Sequence, residues 1–75
     1  MNKGLLTLKQ GDVGKVQLIN AGRNATKRLY EMGFNIGVPI KVIKNDVGPV
    51  IVSLAGNKVA LGRGLAEKVT IEVYR

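Results

Sequence analysis

Short segments in which apolar and polar residues alternate run through most of this chain, and glycine-containing turns separate them. Alternation with a period of two is typical of strands that bury one face and expose the other. The segments with this pattern are residues 13–20, 38–44, 50–54, 58–61 and 69–73. In a chain of 75 residues, strands this short bury one face best by curling into a small barrel. The sequence therefore predicts a mainly β fold with four or five strands.

One segment has the helical period instead. The apolar residues that share one face of this predicted helix are Ala25, Leu29 and Met32. Asn24 is the predicted N-cap. Gly33 supplies the left-handed residue that ends the helix, and Phe34 then folds back onto Leu29. A helix of about eight residues does not persist alone in water, so it must dock on the barrel. It follows the first predicted strand, and a helical turn at 65–68 precedes the last one.

A hairpin is the clearest local signal. Gly56-Asn57 is a good two-residue turn between the third and fourth predicted strands. The pairs that this turn places opposite each other are Leu54 with Val59 and Val52 with Leu61. All four large apolar side chains then share one side of the hairpin. Together with the other strands and the helix, they predict a core of Leu29, Met32, Phe34, Ile40, Val42, Val52, Leu54, Val59, Leu61, Ile71 and Val73.

Residue types that carry most protein chemistry are missing. The chain has no cysteine and no histidine, which excludes disulfides, zinc fingers, thiol nucleophiles and serine–histidine triads. Its five carboxylates are scattered along the sequence. We therefore expect a single domain spanning residues 1–75 that is not an enzyme, has no small-molecule substrate and holds no cofactor. A weak site for a metal built from carboxylates alone stays open. No segment is apolar for long enough to target a membrane, so we expect a cytoplasmic protein.

The charge is strongly positive. Twelve lysines and arginines stand against five acidic residues, for a formal net charge of +7, and this favours acidic partners. The residues expected to face outward on three strands are Lys15, Lys41 and Lys58, and those near the helix start are Arg23, Lys27 and Arg28. Because these charges are dispersed, two interpretations stay open: a merely solvated surface, and a small basic barrel that binds nucleic acid.

Two separated stretches are similar to a known family. Residues 29–42, LYEMGFNIGVPIKV, resemble the helix–turn–strand signature of the FeoA family, and residues 59–73, VALGRGLAEKVTIEV, resemble its closing stretch. Leu8, Gly11 and the run Gly14-Lys15-Val16 match the usual opening. Members often carry an arginine-rich run at the start of the helix, and here that run is thinned to the three basic residues named above. The resemblance covers nearly the whole chain.

The resemblance implies an SH3-like barrel and a role in bacterial ferrous-iron uptake. FeoA proteins are small cytosolic accessory proteins of the transporter FeoB, a membrane protein with a GTP-binding domain. A member is therefore expected to bind the cytosolic side of FeoB, to contact the membrane only through it, and to act without catalysis of its own. Modulation of the GTPase of FeoB belongs to the same expectation, and nucleic acid is the less favoured partner.

A docking face can be assigned on the predicted helix. With one face turned inward, the helical period places Lys27, Tyr30 and Glu31 on the outer face. An exposed tyrosine between charges is typical of a contact hot spot, and Asn35-Ile36 adds an apolar side chain in the adjoining turn. These five residues are the candidate partner-binding site. The alternatives are that Tyr30 only covers the barrel rim, and that the docking face lies on the hairpin around Gly56-Asn57.

Overall fold

Six antiparallel strands form one sheet in the computed structural model, which describes residues 1–74. The strands are β1 (Asn2–Gly4), β2 (Val13–Ile19), β3 (Pro39–Lys44), β4 (Val50–Leu54), β5 (Asn57–Leu61) and β6 (Val69–Val73). Their order across the sheet is β1-β6-β2-β3-β4-β5. Two short helices accompany them, α1 (Arg23–Glu31) and α2 (Arg63–Ala66), with a 3₁₀ turn at Leu5–Thr7. The predicted mainly β class is confirmed. Neither helix is long and apolar enough to cross a membrane.

The first strand and the turn after it were not predicted. β1 pairs with β6, so α1 follows the second strand and not the first. No apolar alternation marks Asn2, Lys3 and Gly4 in the sequence. They form a strand by pairing with β6, which lies at the far end of the chain. The 3₁₀ turn then carries Leu5 into the core, where it is fully buried. α2 begins at Arg63, two residues before the predicted helical turn.

β2 departs from strict alternation. Its pairing with β6 shifts between Val16 and Leu18, which is a bulge that places one extra residue in the strand. Val16 is fully buried, whereas Leu18 is 54% exposed, so the alternation predicted over residues 13–20 fails at Leu18. At Gly14 the two strands approach so closely that a Cβ would overlap the carbonyl oxygen of Glu72 and lie 2.9 Å from Cγ2 of Ile71. Only glycine fits there.

The end of α1 forms as predicted, but its start does not. Gly33 has φ +105°, the Phe34 N–H donates to the carbonyl of Leu29 (2.9 Å), and the Gly33 N–H donates to that of Tyr30 (3.0 Å). This is the expected Schellman motif, and Leu29 and Phe34 are both fully buried. The N-cap is Gly22, without a side-chain hydrogen bond. The prediction of Asn24 as N-cap is therefore wrong, because the helix starts one residue before it.

The hairpin between β4 and β5 turns one residue earlier than predicted. Its loop is Ala55-Gly56, and both residues have positive φ, 49° and 89°, as a type I′ turn requires. The observed pairs are Leu54 with Asn57, Val52 with Val59 and Val50 with Leu61. The predicted register is thus wrong by two residues. Because a shift of two leaves every side chain on its own face, the predicted faces are still correct.

One apolar core fills the inner side of the sheet, and no polar residue among 1–74 is buried in it. Its buried members are Leu5, Leu8, Val16, Leu29, Phe34, Ile40, Val42, Val50, Val52, Leu54, Leu61, Ala66, Val69 and Ile71. Three of the predicted members, Met32, Val59 and Val73, are only partly buried and pack against it. The predicted core is therefore largely confirmed.

A polar tie joins three segments that share no strand pairing. The side-chain amide of Asn45 donates to the carbonyls of Leu6 (3.0 Å) and Leu8 (2.6 Å). Arg63 Nη1 donates to Asn45 Oδ1 (3.0 Å) and to the carbonyls of Asp46 and Gly48. The tie fastens the 3₁₀ turn and the start of α2 to the loop between β3 and β4.

Candidate protein-binding surfaces

The outer face of α1 carries three of the five predicted site residues. Leu29 turns inward and is fully buried, while Tyr30 beside it is 46% exposed. Lys27 and Glu31 are exposed as well, as the helical period predicts for this face. The core therefore fixes the rotation of α1, and that rotation presents a tyrosine between two opposite charges.

A shallow, mainly apolar groove runs along this face. Its lining residues are Arg23, Thr26, Lys27, Tyr30 and Glu31. The Thr26 hydroxyl donates to the Ala21 carbonyl at 3.1 Å, so it is already bonded within the chain. The groups that remain for a partner are the tyrosine ring and the charges of two cations and one carboxylate. We call this surface the helix groove.

Asn35 and Ile36 lie in the turn after α1 and outside the helix groove. Both are exposed, Ile36 by 55%. Backbone hydrogen bonds fix the turn, from Gly37 N–H to the Val16 carbonyl (2.7 Å) and from Val38 N–H to the Asn35 carbonyl (3.1 Å). The structure thus brings Lys27, Tyr30 and Glu31 into one groove and leaves the other two predicted residues beyond the helix end.

A second surface crosses the outer side of the sheet. Strand pairing places Val13 opposite Lys41, Lys41 opposite Ser53, and Ser53 opposite Lys58. The Tyr74 N–H donates to the Val13 carbonyl at 3.0 Å, which sets Tyr74 at the end of the same row. We call these five residues the outer row. The sequence indicates that Lys41 and Lys58 face outward, but it does not reveal that they share a row with an exposed tyrosine.

The apolar end of the outer row opens into a small groove of about 200 Å³. Its lining residues include Val13, Pro39, Lys41, Ser53, Ala55 and Tyr74. Tyr74 is 48% exposed and Val13 40%. The groove could not be found from the sequence for a physical reason. Three strands, the β4–β5 turn and Tyr74 after β6 build it, and the strand registers depend on a turn and bulges that alternation does not reveal.

Clustered metal ligands are absent from both surfaces as far as the structure describes them. Among residues 1–74, no three acidic side chains come close enough together to hold a metal ion. One ion pair forms within this part of the chain. It joins Lys15 Nζ and Glu72 Oε1 at 3.7 Å, and both side chains are exposed. Exposed pairs of this kind contribute little to stability. What the two surfaces offer is apolar contact beside charge, which suits the binding of another molecule.

A family model and a relative in sequence identify the same family. The model of the FeoA domain matches residues 3–73. A protein of Methanocaldococcus jannaschii named as Fe(2+) transport protein A is 50% identical over 64 residues, which cover 85% of this chain and 78% of that protein.

Two solved FeoA structures are similar to this chain. The crystal structure of an iron uptake regulatory protein, FeoA, is 36% identical with a TM-score of 0.93, over 99% of this chain and 100% of the other. Stenotrophomonas maltophilia FeoA, described as a prokaryotic SH3 domain protein and solved with zinc, is 24% identical with a TM-score of 0.75, over 96% and 89%. At that identity, the second likeness concerns the fold alone.

Proposed function

This chain belongs to the FeoA family, and we propose that it is a non-enzymatic accessory protein of ferrous-iron uptake that binds the cytosolic side of the FeoB transporter. The match over residues 3–73 supports this proposal. The Methanocaldococcus jannaschii relative supports it as well, because it is 50% identical and its name refers to Fe(2+) transport. The proposal places the protein in the cytoplasm and lets it reach the membrane only through its partner.

The exposure of Tyr30 is the main reason for choosing the helix groove as the docking face. The Tyr30 side chain is 46% exposed, so the protein itself buries only about half of it. Tyrosines are enriched among the residues that dominate binding energy at interfaces. Lys27 and Glu31 flank it with opposite charges, which favour one orientation of a charged partner. The groove is thus suited to an amphipathic protein surface.

Modulation of GTP hydrolysis belongs to the same proposal. The chain supplies no histidine or cysteine, so the chemistry is assigned to the transporter and the effect of this protein to contact. A binding partner changes the rate of an enzyme only when it binds one of the enzyme's conformations better than another. We propose that the helix groove makes this distinction.

Binding to the purified cytosolic domain of the cognate FeoB tests the docking face. The double substitution Lys27→Ala/Tyr30→Ala removes the ring and one charge from the helix groove and keeps good helix formers. We expect binding, measured by biolayer interferometry, to weaken about tenfold or more, the effect of losing one hot spot. The melting curve should stay close to that of the original protein. Unchanged binding by a folded variant would place the docking face elsewhere, with the β4–β5 hairpin as the next candidate.

Leu18→Ala/Lys68→Ala is the matched control, because it also removes one exposed apolar side chain and one exposed cation, and neither residue lines the helix groove. It should bind FeoB as the original protein does. Polyuridine and duplex DNA, assayed in parallel, test the nucleic-acid alternative. The two exposed tyrosines line separate grooves, so residues 1–74 present no continuous stacking platform for bases. Salt-sensitive binding to nucleic acid without binding to FeoB would favour that alternative.

A further inference from the structure

The outer row changes character along its length. Tyr74 and Val13 form an exposed apolar end, whereas Lys41 and Lys58 form a basic end. Ser53 lies between the two lysines, which are therefore separated by two strand spacings, about 10 Å. At this distance both ammonium groups can face solvent without direct repulsion. The row joins an apolar surface to two cations in a fixed direction.

The groove at the apolar end has the size of one side chain. Its volume is about 200 Å³, and a protein cavity of about 150 Å³ is enough to hold a benzene ring. Pro39 and Ala55 complete its walls. The groove is shallow and open on one side, so a projecting side chain can enter it from solvent. One aromatic or branched aliphatic side chain is the group that fills it.

Carboxylates are almost absent from the sheet that carries the row. Glu72 is the only acidic residue in the six strands that the structure describes within residues 1–74. It pairs with Lys15 in the neighbouring row. Within the same part of the chain, neither Lys41 nor Lys58 has an ion-pair partner. The two lysines are therefore free to bind carboxylates of another molecule.

From these observations we infer that the outer row is a second binding site, for an extended protein segment with one large apolar side chain followed by carboxylates. The apolar side chain enters the groove beside Tyr74, and the carboxylates reach Lys41 and Lys58. Three strand spacings, about 14 Å, separate Val13 from Lys58. An extended segment advances about 3.3 Å per residue, so about four residues span that distance. A single tyrosine gives too small a stacking surface to favour single-stranded nucleic acid. This site shares no lining residue with the helix groove and does not depend on the proposed binding to FeoB.

A titration followed by nuclear magnetic resonance tests the inference without the transporter. The probe is a blocked hexapeptide with one phenylalanine and three following glutamates, added to the ¹⁵N-labelled protein. We expect chemical-shift changes confined to the outer row and the groove. Two control peptides replace the phenylalanine with serine or the glutamates with lysines, and each should bind about fivefold to tenfold more weakly.

Lys41→Glu/Lys58→Glu tests the role of the charges. Both lysines are exposed, so the variant should fold, and it should now prefer the peptide with lysines. Lys9→Glu/Lys68→Glu changes the net charge equally at exposed positions outside the row and should keep the original preference. Shift changes elsewhere, no shift changes, equal binding of the serine peptide, or tighter binding of polyuridine at the same residues would each overturn the inference.

Discussion

Ala55 is held in a conformation that suits other residues better. Within residues 1–74, Ala55 is the only non-glycine residue with a positive φ, which is 49°. A left-handed conformation costs an L-residue with a Cβ about 1–2 kcal/mol, and asparagine tolerates it best. Asparagine followed by glycine is also the preferred pair in a type I′ turn. We expect Ala55→Asn to raise the free energy of unfolding by up to about 1 kcal/mol, measured by urea denaturation.

Ala60→Asn is the control for this prediction. Ala60 is also exposed, but it lies within β5, where asparagine is disfavoured. This variant should be neutral or less stable than the original protein. If Ala55→Asn is no more stable than Ala60→Asn, strain at the turn does not limit stability.

The hairpin also shows what single residues predict and what they do not. Alternation identified the buried faces of β4 and β5 correctly, because the apolar pattern alone decides them. The register was wrong, because Gly56-Asn57 and Ala55-Gly56 both place glycine in a two-residue loop. In the structure the Ala55 N–H donates to the Pro39 carbonyl of β3, at 3.0 Å. That contact comes from another strand.

At the scale of elements, the polar tie around Asn45 holds the N-terminal segment in place. Its amide nitrogen donates to the carbonyls of Leu6 and Leu8. Asn45→Asp keeps the shape and turns the donor into an acceptor that faces those carbonyls. We expect a loss of about 1–3 kcal/mol in the free energy of unfolding, the cost of leaving partly buried acceptors without a donor. Urea denaturation measures it.

Asn24→Asp is the matched control for the tie. Asn24 is exposed in the first turn of α1, where a negative charge interacts favourably with the helix dipole. That variant should be as stable as the original protein or slightly more stable. Equal destabilisation by both substitutions would mean that Asn45 acts through charge alone and not through its hydrogen bonds.

Among the elements, those fixed by neighbouring residues were the predictable ones. The end of α1 needs only Gly33, Phe34 and Leu29 within a few positions, and the outer face of the helix follows from its period. Lys27, Tyr30 and Glu31 could therefore be placed from the sequence. β1 and the outer row could not, because each is built from partners far apart in the chain.

At the scale of the whole molecule, the residue types predict weak affinity for iron. Ferrous iron prefers imidazole and carboxylate ligands, and this chain has no histidine. We expect the isolated protein not to bind ferrous iron stoichiometrically with submicromolar affinity in anaerobic calorimetry. A magnesium titration at the same ionic strength measures the non-specific background. Tight one-to-one binding of ferrous iron above that background would contradict the prediction.

The order of strands across the sheet has a consequence for how the molecule folds. β3, β4 and β5 are neighbours both in the chain and in the sheet, whereas β1 pairs with β6 across almost the whole described length. Closing so long a loop costs entropy before any contact repays it, so such pairings tend to form late. We expect substitutions in the β4–β5 hairpin to slow folding and those in β1 to speed unfolding, as stopped-flow kinetics would measure. The N-terminal strand would then be the last to join the sheet and the first to leave it.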